Sequence, residues 1–235
     1  MAKKNKVGKL IVLDGTDGSG KSTQTELLIK HLKKDGYTVK VVDFPEYYSN
    51  FFGKFIGHCL SEQYYNFVKV HPKIASVLYA ADRFESKDKV KRWLNEGYTI
   101  VANRYASANQ IHQGGKIANT RKREAFLKWL AEMEYKVFKI PKPDAIIYLD
   151  VPIPVVMKLI KGRNQNGRRS YLGNKKDMAE KDRKYMENSR KSALWLSKTQ
   201  KGWVKMECMK DGTLETREAI HNKIYEKIKK ILPRP

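Results

Sequence analysis

Nine consecutive residues, Gly15-Thr16-Asp17-Gly18-Ser19-Gly20-Lys21-Ser22-Thr23, carry the strongest chemical signal in the chain. Gly15 and Gly20 are separated by four residues and followed by Lys21 and Ser22, which matches the phosphate-loop pattern G-x-x-x-x-G-K-[ST]. Its glycines let backbone N–H groups turn toward an anion, and a helix opening at its end adds a positive amino terminus. Lys21 is then expected to reach the β- and γ-phosphates of ATP, and Ser22 to ligate Mg²⁺. The motif points to a nucleoside triphosphate without saying what is done with it. A GTPase switch, an ATP-driven motor, a helicase and a small-molecule kinase all use it. Asn174 and Asp177 complete an N-K-x-D string that would read guanine, but it lies in a polar, basic run rather than behind an apolar strand. The D-x-x-G match at Asp17–Gly20 falls inside the phosphate loop itself.

A second substrate that carries phosphate needs a second set of cations, because phosphoryl transfer is mostly positioning and charge neutralisation. Arg83 in "LYAADRFE" and Arg104 behind "YTIVAN" suit that role, as do Arg163, Arg168 and Arg169 in "GRNQNGRR". Lys161 to Lys191 holds eleven Lys/Arg against four Asp/Glu, with Gly162, Gly167 and Gly173 as hinges. That composition predicts a mobile cationic flap (LID) over about 162–177 that closes over phosphates, set against the plainer reading of a solvated basic face. Asn103 precedes Arg104 where a carboxylate would serve a hydroxyl acceptor. A hydroxyl needs a general base, whereas a phosphate oxygen is already anionic near neutral pH. Asn103 therefore favours a phosphate acceptor, while Asp43 at the end of the second strand keeps a nucleoside acceptor open.

These residues need elements to hold them, and the hydrophobic pattern supplies a βαβα alternation. "KLIVLD" reads as the first strand, and the helix after it shows Leu27, Leu28 and Leu32 on one face with Gly36 as its stop. "YTVKVVDF", "YTIVAN", "DAIIYLDV" and "WVKMEC" read as four further strands. One helix is expected from Pro72 to Gly97, and others over "KREAFLKWLAEMEYKVF", "IPVVMKLIKG", "KDMAEKDRKYMENSRKSALWLSK" and "LETREAIHNKIYEKIKKIL". Strands alternating with helices imply a parallel sheet covered on both faces, a three-layer α/β fold that binds ligands at the carboxyl ends of its strands.

The chain's 235 residues, 41% of them hydrophobic and without a linker-like composition break, suit one domain over 1–235. A formal net charge of +23 directs the surface toward polyanions. Cys59 and Cys208 are too few for a disulfide framework, and the five histidines form no Cys/His cluster at zinc-ligand spacing. The expectation is a reducing cytoplasm, with no membrane segment.

In order and spacing, "GTDGSGKSTQ", "DFPEY", "LYAADR", "NRYASANQIHQGG" and "PDAIIYLDVP" resemble the thymidylate kinases, P-loop enzymes that phosphorylate dTMP with ATP and Mg²⁺. The resemblance implies a five-stranded parallel core and a homodimer, with ATP and dTMP as partners and nucleic acid not expected. It would set Asp17 against the deoxyribose 3′-hydroxyl, with Phe44 and Pro45 lining the acceptor pocket. Tyr79 would stack on thymine and Arg83 contact the base. Arg104 would bridge the two phosphate groups, and Asn109, Gln110, His112 and Gln113 would line the sugar and base side. Without the resemblance, Tyr79 reads as a core aromatic beside Ile74, Val77 and Leu78, and Arg83 as a surface ion pair with Asp82 or Glu85. The chain departs from the family in four places. Glu46 and Tyr47 follow Phe44-Pro45 where an arginine is common, and position 18 is glycine, which points to a flap-type enzyme. Ala108 replaces a usual serine, with Ser107 one place earlier, and Asn103 replaces the usual aspartate. The expected activity is dTMP phosphorylation. The alternatives are a deoxynucleoside kinase and a basic P-loop ATPase that binds nucleic acid.

Overall fold

A computed structural model describes residues 7–61, 67–162 and 182–235. Its centre is a five-stranded parallel sheet in the order β2-β3-β1-β4-β5, formed by β1 (Lys9–Gly15), β2 (Val39–Asp43), β3 (Thr99–Asn103), β4 (Ala145–Asp150) and β5 (Trp203–Glu207). The three inner strands are buried almost throughout, whereas β2 and β5 at the edges are mostly half-buried or exposed. That is why the inner strands read as unbroken apolar runs.

Successive side chains on a strand point to opposite faces. Ile11 and Leu13 therefore pack with Leu28 and Leu32 of α1 (Lys21–Lys34), and Leu10 and Val12 on the other side with Val42, Val90 and Tyr105. Leu27, expected on the same helical face as Leu28, is only half-buried. Behind the sheet's second half, α7 (Ile153–Lys161) and α9 (Arg217–Lys229) join the α1 side. The opposite layer takes α6 (Thr120–Ala131) and α8 (Arg183–Thr199). The sheet lies between these two layers, as the strand–helix alternation predicts.

Several boundaries differ from the sequence pattern. The single helix expected from Pro72 to Gly97 is two, α3 (Pro72–Glu85) and α4 (Lys87–Asn95), separated at Ser86. Ser86 donates its hydroxyl to Glu46 Oε1 at 2.7 Å, so a tertiary contact marks the break that propensity does not. Gly36 and Gly97 do end their helices, at φ +87° and +84°, a conformation that glycine adopts without strain. The helix after Arg121 changes to a π-helical turn over Glu132–Val137. Four elements among the described residues were not anticipated: α2 (Phe51–Leu60), a 3-10 turn at Phe67–Lys69, a short helical stretch α5 (Ala106–Ala108) running into a π-helical turn at Asn109–Gln113, and a hairpin of Met209–Lys210 with Thr213–Leu214. No helix among the described residues is long and apolar enough to cross a membrane.

Candidate active site

β1 lies between β3 and β4, so the chain's path reverses direction beside it, and a ligand crevice belongs at the carboxyl ends of these strands. The phosphate loop starts there. Gly18 and Gly20 have φ of +83° and +89°, and a Cβ at Gly18 would come within 2.7 Å of Ile160 Cγ1, so glycine is required on both backbone and packing grounds. The Lys21 ammonium donates to the carbonyls of Gly15 at 3.0 Å and Thr16 at 2.8 Å, which holds it against the loop. Asp17, Gly18, Ser19 and Gly20 line an open cleft, and Lys21, Ser22 and Thr23 continue it along α1. Gly15 and Thr16 are not among the residues that line it, and Thr16 Oγ1 and Ser19 Oγ are buried without a hydrogen-bond partner among the described residues. The far wall, Leu159 with Leu214, Glu215, Arg217 and Ile220, comes from α7, the hairpin and the start of α9. Nothing in those residue types signalled it.

Arg104 follows β3 directly. Its backbone N–H donates to Leu13 O at 2.9 Å, which ties the strand end to β1, and its φ is +64°. A left-handed arginine is strained and persists only where its surroundings hold it, as at functional sites. Its guanidinium pairs with Asp17 of the phosphate loop, and its Nε is buried without a partner among the described residues. Burial alone would weaken the charge, but Asp17, then Tyr47 and Asp14, hold Arg104 well above its ordinary pKa and fully cationic. Asp14 accepts from Gly15 N–H at 2.8 Å and from Ser107 Oγ at 2.6 Å. Burial pushes its carboxyl above the usual range, while Ser107 and the charges of Arg104 and Lys21 pull the other way. Ser107 is thus committed to Asp14, and Ala108 is the residue that faces the neighbouring cavity.

That cavity adjoins the cleft. Phe44 and Pro45, joined by a cis peptide bond, form one side with Tyr47 and Leu60. Tyr79 and Arg83 of α3 form another, and Tyr105, Asn109, His112 and Gln113 close it with Tyr185 of α8. Gln110 is the exception among the expected lining residues: it sits on the same turn, but does not line the cavity, and its carbonyl accepts from Ser192 Oγ. Arg83 is not a surface residue paired with Asp82 or Glu85. At 2% exposure it makes a bidentate pair with Glu134, Nε to Oε2 at 2.8 Å and Nη2 to Oε1 at 2.5 Å, and Asn109 Nδ2 donates to the same carboxylate at 2.9 Å. Glu134 lies on the π-helical turn after α6, which the local pattern gave no reason to single out. Asp82 instead accepts from Glu46 N–H and Asn50 Nδ2, and burial pushes its carboxyl up to about 6.

Tyr79 faces the cavity, while Ile74 and Val77, which suggested a core position for it, are 58% and 40% exposed. The His112 ring faces the cavity, with Nδ1 3.2 Å from Ser189 Oγ and the ring stacked on Tyr185 at 5.9 Å. Burial, and then the positive charge of Arg104, lower its pKa to about 3, so the imidazole is neutral near physiological pH. Tyr47, Tyr105 and Tyr185 were missed as site residues, although Tyr47 lies two places after Pro45 and Tyr105 directly after Arg104 in the flagged motifs. Arg163, Arg168 and Arg169 lie outside the described residues, as does the N-K-x-D string.

Oxygen ligands suited to a small hard cation are present in the cleft: the Ser22 hydroxyl and the carboxylates of Asp17, Asp43 and Glu215. No cluster of three or more metal-ligating side chains occurs among the described residues. Such a cleft fits Mg²⁺ carried on a nucleotide, with phosphate oxygens and waters supplying the remaining ligands.

Residues 13–231 match the family model described as thymidylate kinase. A probable thymidylate kinase of Thermococcus onnurineus is 32% identical over 159 residues, covering 66% of this chain and 72% of its own. A thymidylate kinase of Homo sapiens is 31% identical over 147 residues, 62% of each chain. Among solved structures, a thymidylate kinase of Candida albicans superposes with a TM-score of 0.70 over 95% of this chain and 92% of its own, at 20% identity.

Proposed function

From the premise that this chain belongs to the thymidylate kinase family, we infer that it transfers the γ-phosphoryl group of ATP to the phosphate of dTMP, giving dTDP and ADP. The observation that carries the reading at this site is the position of Arg104, held in a left-handed conformation where the phosphate cleft meets the apolar, aromatic cavity. A cation at that boundary neutralises charge on the transferring group, and an acceptor phosphate needs no general base. Asn103, buried at the end of β3 with its Oδ1 unpartnered among the described residues, is consistent with that chemistry.

The phosphate loop from Gly15 to Thr23 binds the ATP phosphates, with Lys21 moving from the carbonyls of Gly15 and Thr16 onto the β- and γ-phosphates. Ser22 holds Mg²⁺, which when bound offsets charge on the phosphates. Asp17 orients the guanidinium of Arg104. Phe44, Pro45 and Tyr79 enclose the thymine ring, Arg83 reaches it from its Glu134 pair, and Asn109, His112 and Gln113 wall the nucleoside. One or more of Arg163, Arg168 and Arg169 neutralise charge on the phosphates. We read the chain as one kinase domain that works as a cytoplasmic homodimer. Phe51, Ile74 and Val77, large and exposed on α2 and α3, supply apolar surface for such pairing.

Incubation with ATP, Mg²⁺ and a panel of dTMP, dUMP, other monophosphates and thymidine, followed by chromatography of the nucleotides, tests the reading. dTDP is the expected product. A panel in which no monophosphate is phosphorylated removes it.

A further inference from the structure

The layer formed by α6 and α8 is strongly cationic. α6 carries four Lys/Arg against Glu124 alone, and α8 five against Glu187 alone. Arg183 pairs with Glu187 at 2.8 Å and Arg190 with Asp150 at 2.7 Å, whereas Lys184, Lys191 and Lys198 have no ion-pair partner among the described residues. These three lysines are exposed and recur every seven residues. Seven residues are close to two helical turns, so the ammonium groups share one side of α8. The opposite side is the buried one, with Met186, Ser189, Ala193 and Leu196, and it backs the acceptor cavity through Ser189 and His112.

Trp195 follows Lys191 by four residues and precedes Lys198 by three, so its half-buried indole stands beside both on the helix surface. Arg123 of α6 joins it there, with Cζ 5.6 Å from the ring centroid, and the two helices therefore present one continuous face. Arg121 and Lys128, exposed and also seven residues apart, carry the charge across α6.

The dimensions and chemistry of this face select its partner. From Lys184 to Lys198 the stripe covers about 21 Å at 1.5 Å per residue, which suits a polymer of repeating charge and not one small anion. A membrane surface calls for apolar side chains that insert among the lipids. None of the large exposed hydrophobic side chains of the described residues lies on α6 or α8. An indole set between lysines instead suits a chain that carries both phosphates and flat bases, because a cationic track with an aromatic ring holds backbone and base together.

We propose that the outer face of α6 and α8 binds single-stranded nucleic acid, with Lys184, Lys191 and Lys198 on its phosphates and Trp195 against a base. The proposal is independent of the kinase reading, since the face points away from the acceptor cavity. It gives part of the +23 net charge a ligand of its own.

Fluorescence anisotropy of a dye-labelled single-stranded DNA, titrated with protein over a salt series, tests the proposal. Three phosphates neutralised on a single strand give a slope of about −2 in log K against log salt, and wild type is expected to be at least that steep. In the triple variant Lys184→Gln, Lys191→Gln and Lys198→Gln the slope should flatten by about 2 and affinity at low salt fall by about tenfold or more. Its melting temperature and its rate of dTDP formation are expected to match wild type. A second variant, Lys30→Gln, Lys33→Gln and Lys227→Gln, removes the same charge from exposed positions on α1 and α9 in the opposite layer and should bind nearly as wild type does. Equal losses in the two variants overturn the proposal, because they report net charge alone, and so does a wild type that binds no DNA. Poly-glutamate, which has the charge without the bases, is expected to displace the DNA poorly. Displacement as efficient as that by unlabelled DNA overturns the proposal, as does equally tight binding to phosphatidylserine vesicles.

Discussion

At the scale of residues, the site depends on where two charges are placed and one is withheld. Arg104 is strained, ion-paired to Asp17 and left with a buried, unpartnered Nε among the described residues, an arrangement that suits a phosphate between two nucleotides. Arg104→Ala is expected to lower kcat by ~10³ or more, the low end for a transition-state arginine. Single-turnover measurement checks it, and a loss below about tenfold would remove that role. His112 carries the opposite design, an imidazole kept neutral by burial and by the field of Arg104. Its folded-state pKa lies below the unfolded value near 6.5, so its stabilising contribution is complete above that value and is lost as pH falls toward 3. Between pH ~7.5 and ~5.5 the wild type should lose about 1.4 kcal/mol more than His112→Gln. Urea unfolding at the two pH values measures the difference, and parallel losses would contradict it.

At the scale of elements, legibility followed the range of the signal. The phosphate loop and the strand-end arginine were readable because glycines, lysine and serine at fixed spacing and an apolar run ending in arginine are local patterns. The break between α3 and α4 was not, since it rests on Ser86 reaching Glu46 forty residues away. The local pattern around Arg83 suggested only a surface ion pair, and it took the resemblance to set the residue in the acceptor pocket, for the same reason: its partner Glu134 is fifty-one residues distant on a turn with no periodic signal. α2 lacked a clean pattern because "FFGKFIGHCL" mixes glycines into a nearly all-apolar run. Gly53 in that helix has a packing reason, since a Cβ there would lie 2.2 Å from Glu46 O. Gly53→Ala must therefore shift either α2 or the segment carrying Phe44, Pro45 and Tyr47. The expected cost is about 1–3 kcal/mol of stability, together with a raised KM for dTMP and little change in that for ATP. Calorimetric melting combined with kinetics tests this, and a variant matching wild type in both would show that the segment yields freely.

At the scale of the whole molecule, the order β2-β3-β1-β4-β5 brings the phosphate loop from β1 and Arg104 from β3 to one edge of the sheet. On the proposed reading, donor and acceptor machinery stand on adjacent strands, so that one arginine can serve both. The net charge of +23 far exceeds what two phosphate-bearing substrates require, and it sets the ATPase that binds nucleic acid as the rival from another class. The central claim is that the acceptor is a phosphate and not a hydroxyl. Phosphorus NMR of a reaction containing ATP, Mg²⁺ and an equimolar mixture of dTMP and thymidine addresses it directly, because the two acceptors give different bonds. Consumption of the dTMP monoester signal with growth of the paired diphosphate signals of dTDP is the predicted result. Growth of a new monoester signal from thymidine, or ATP hydrolysis to inorganic phosphate with both acceptors untouched, would contradict it.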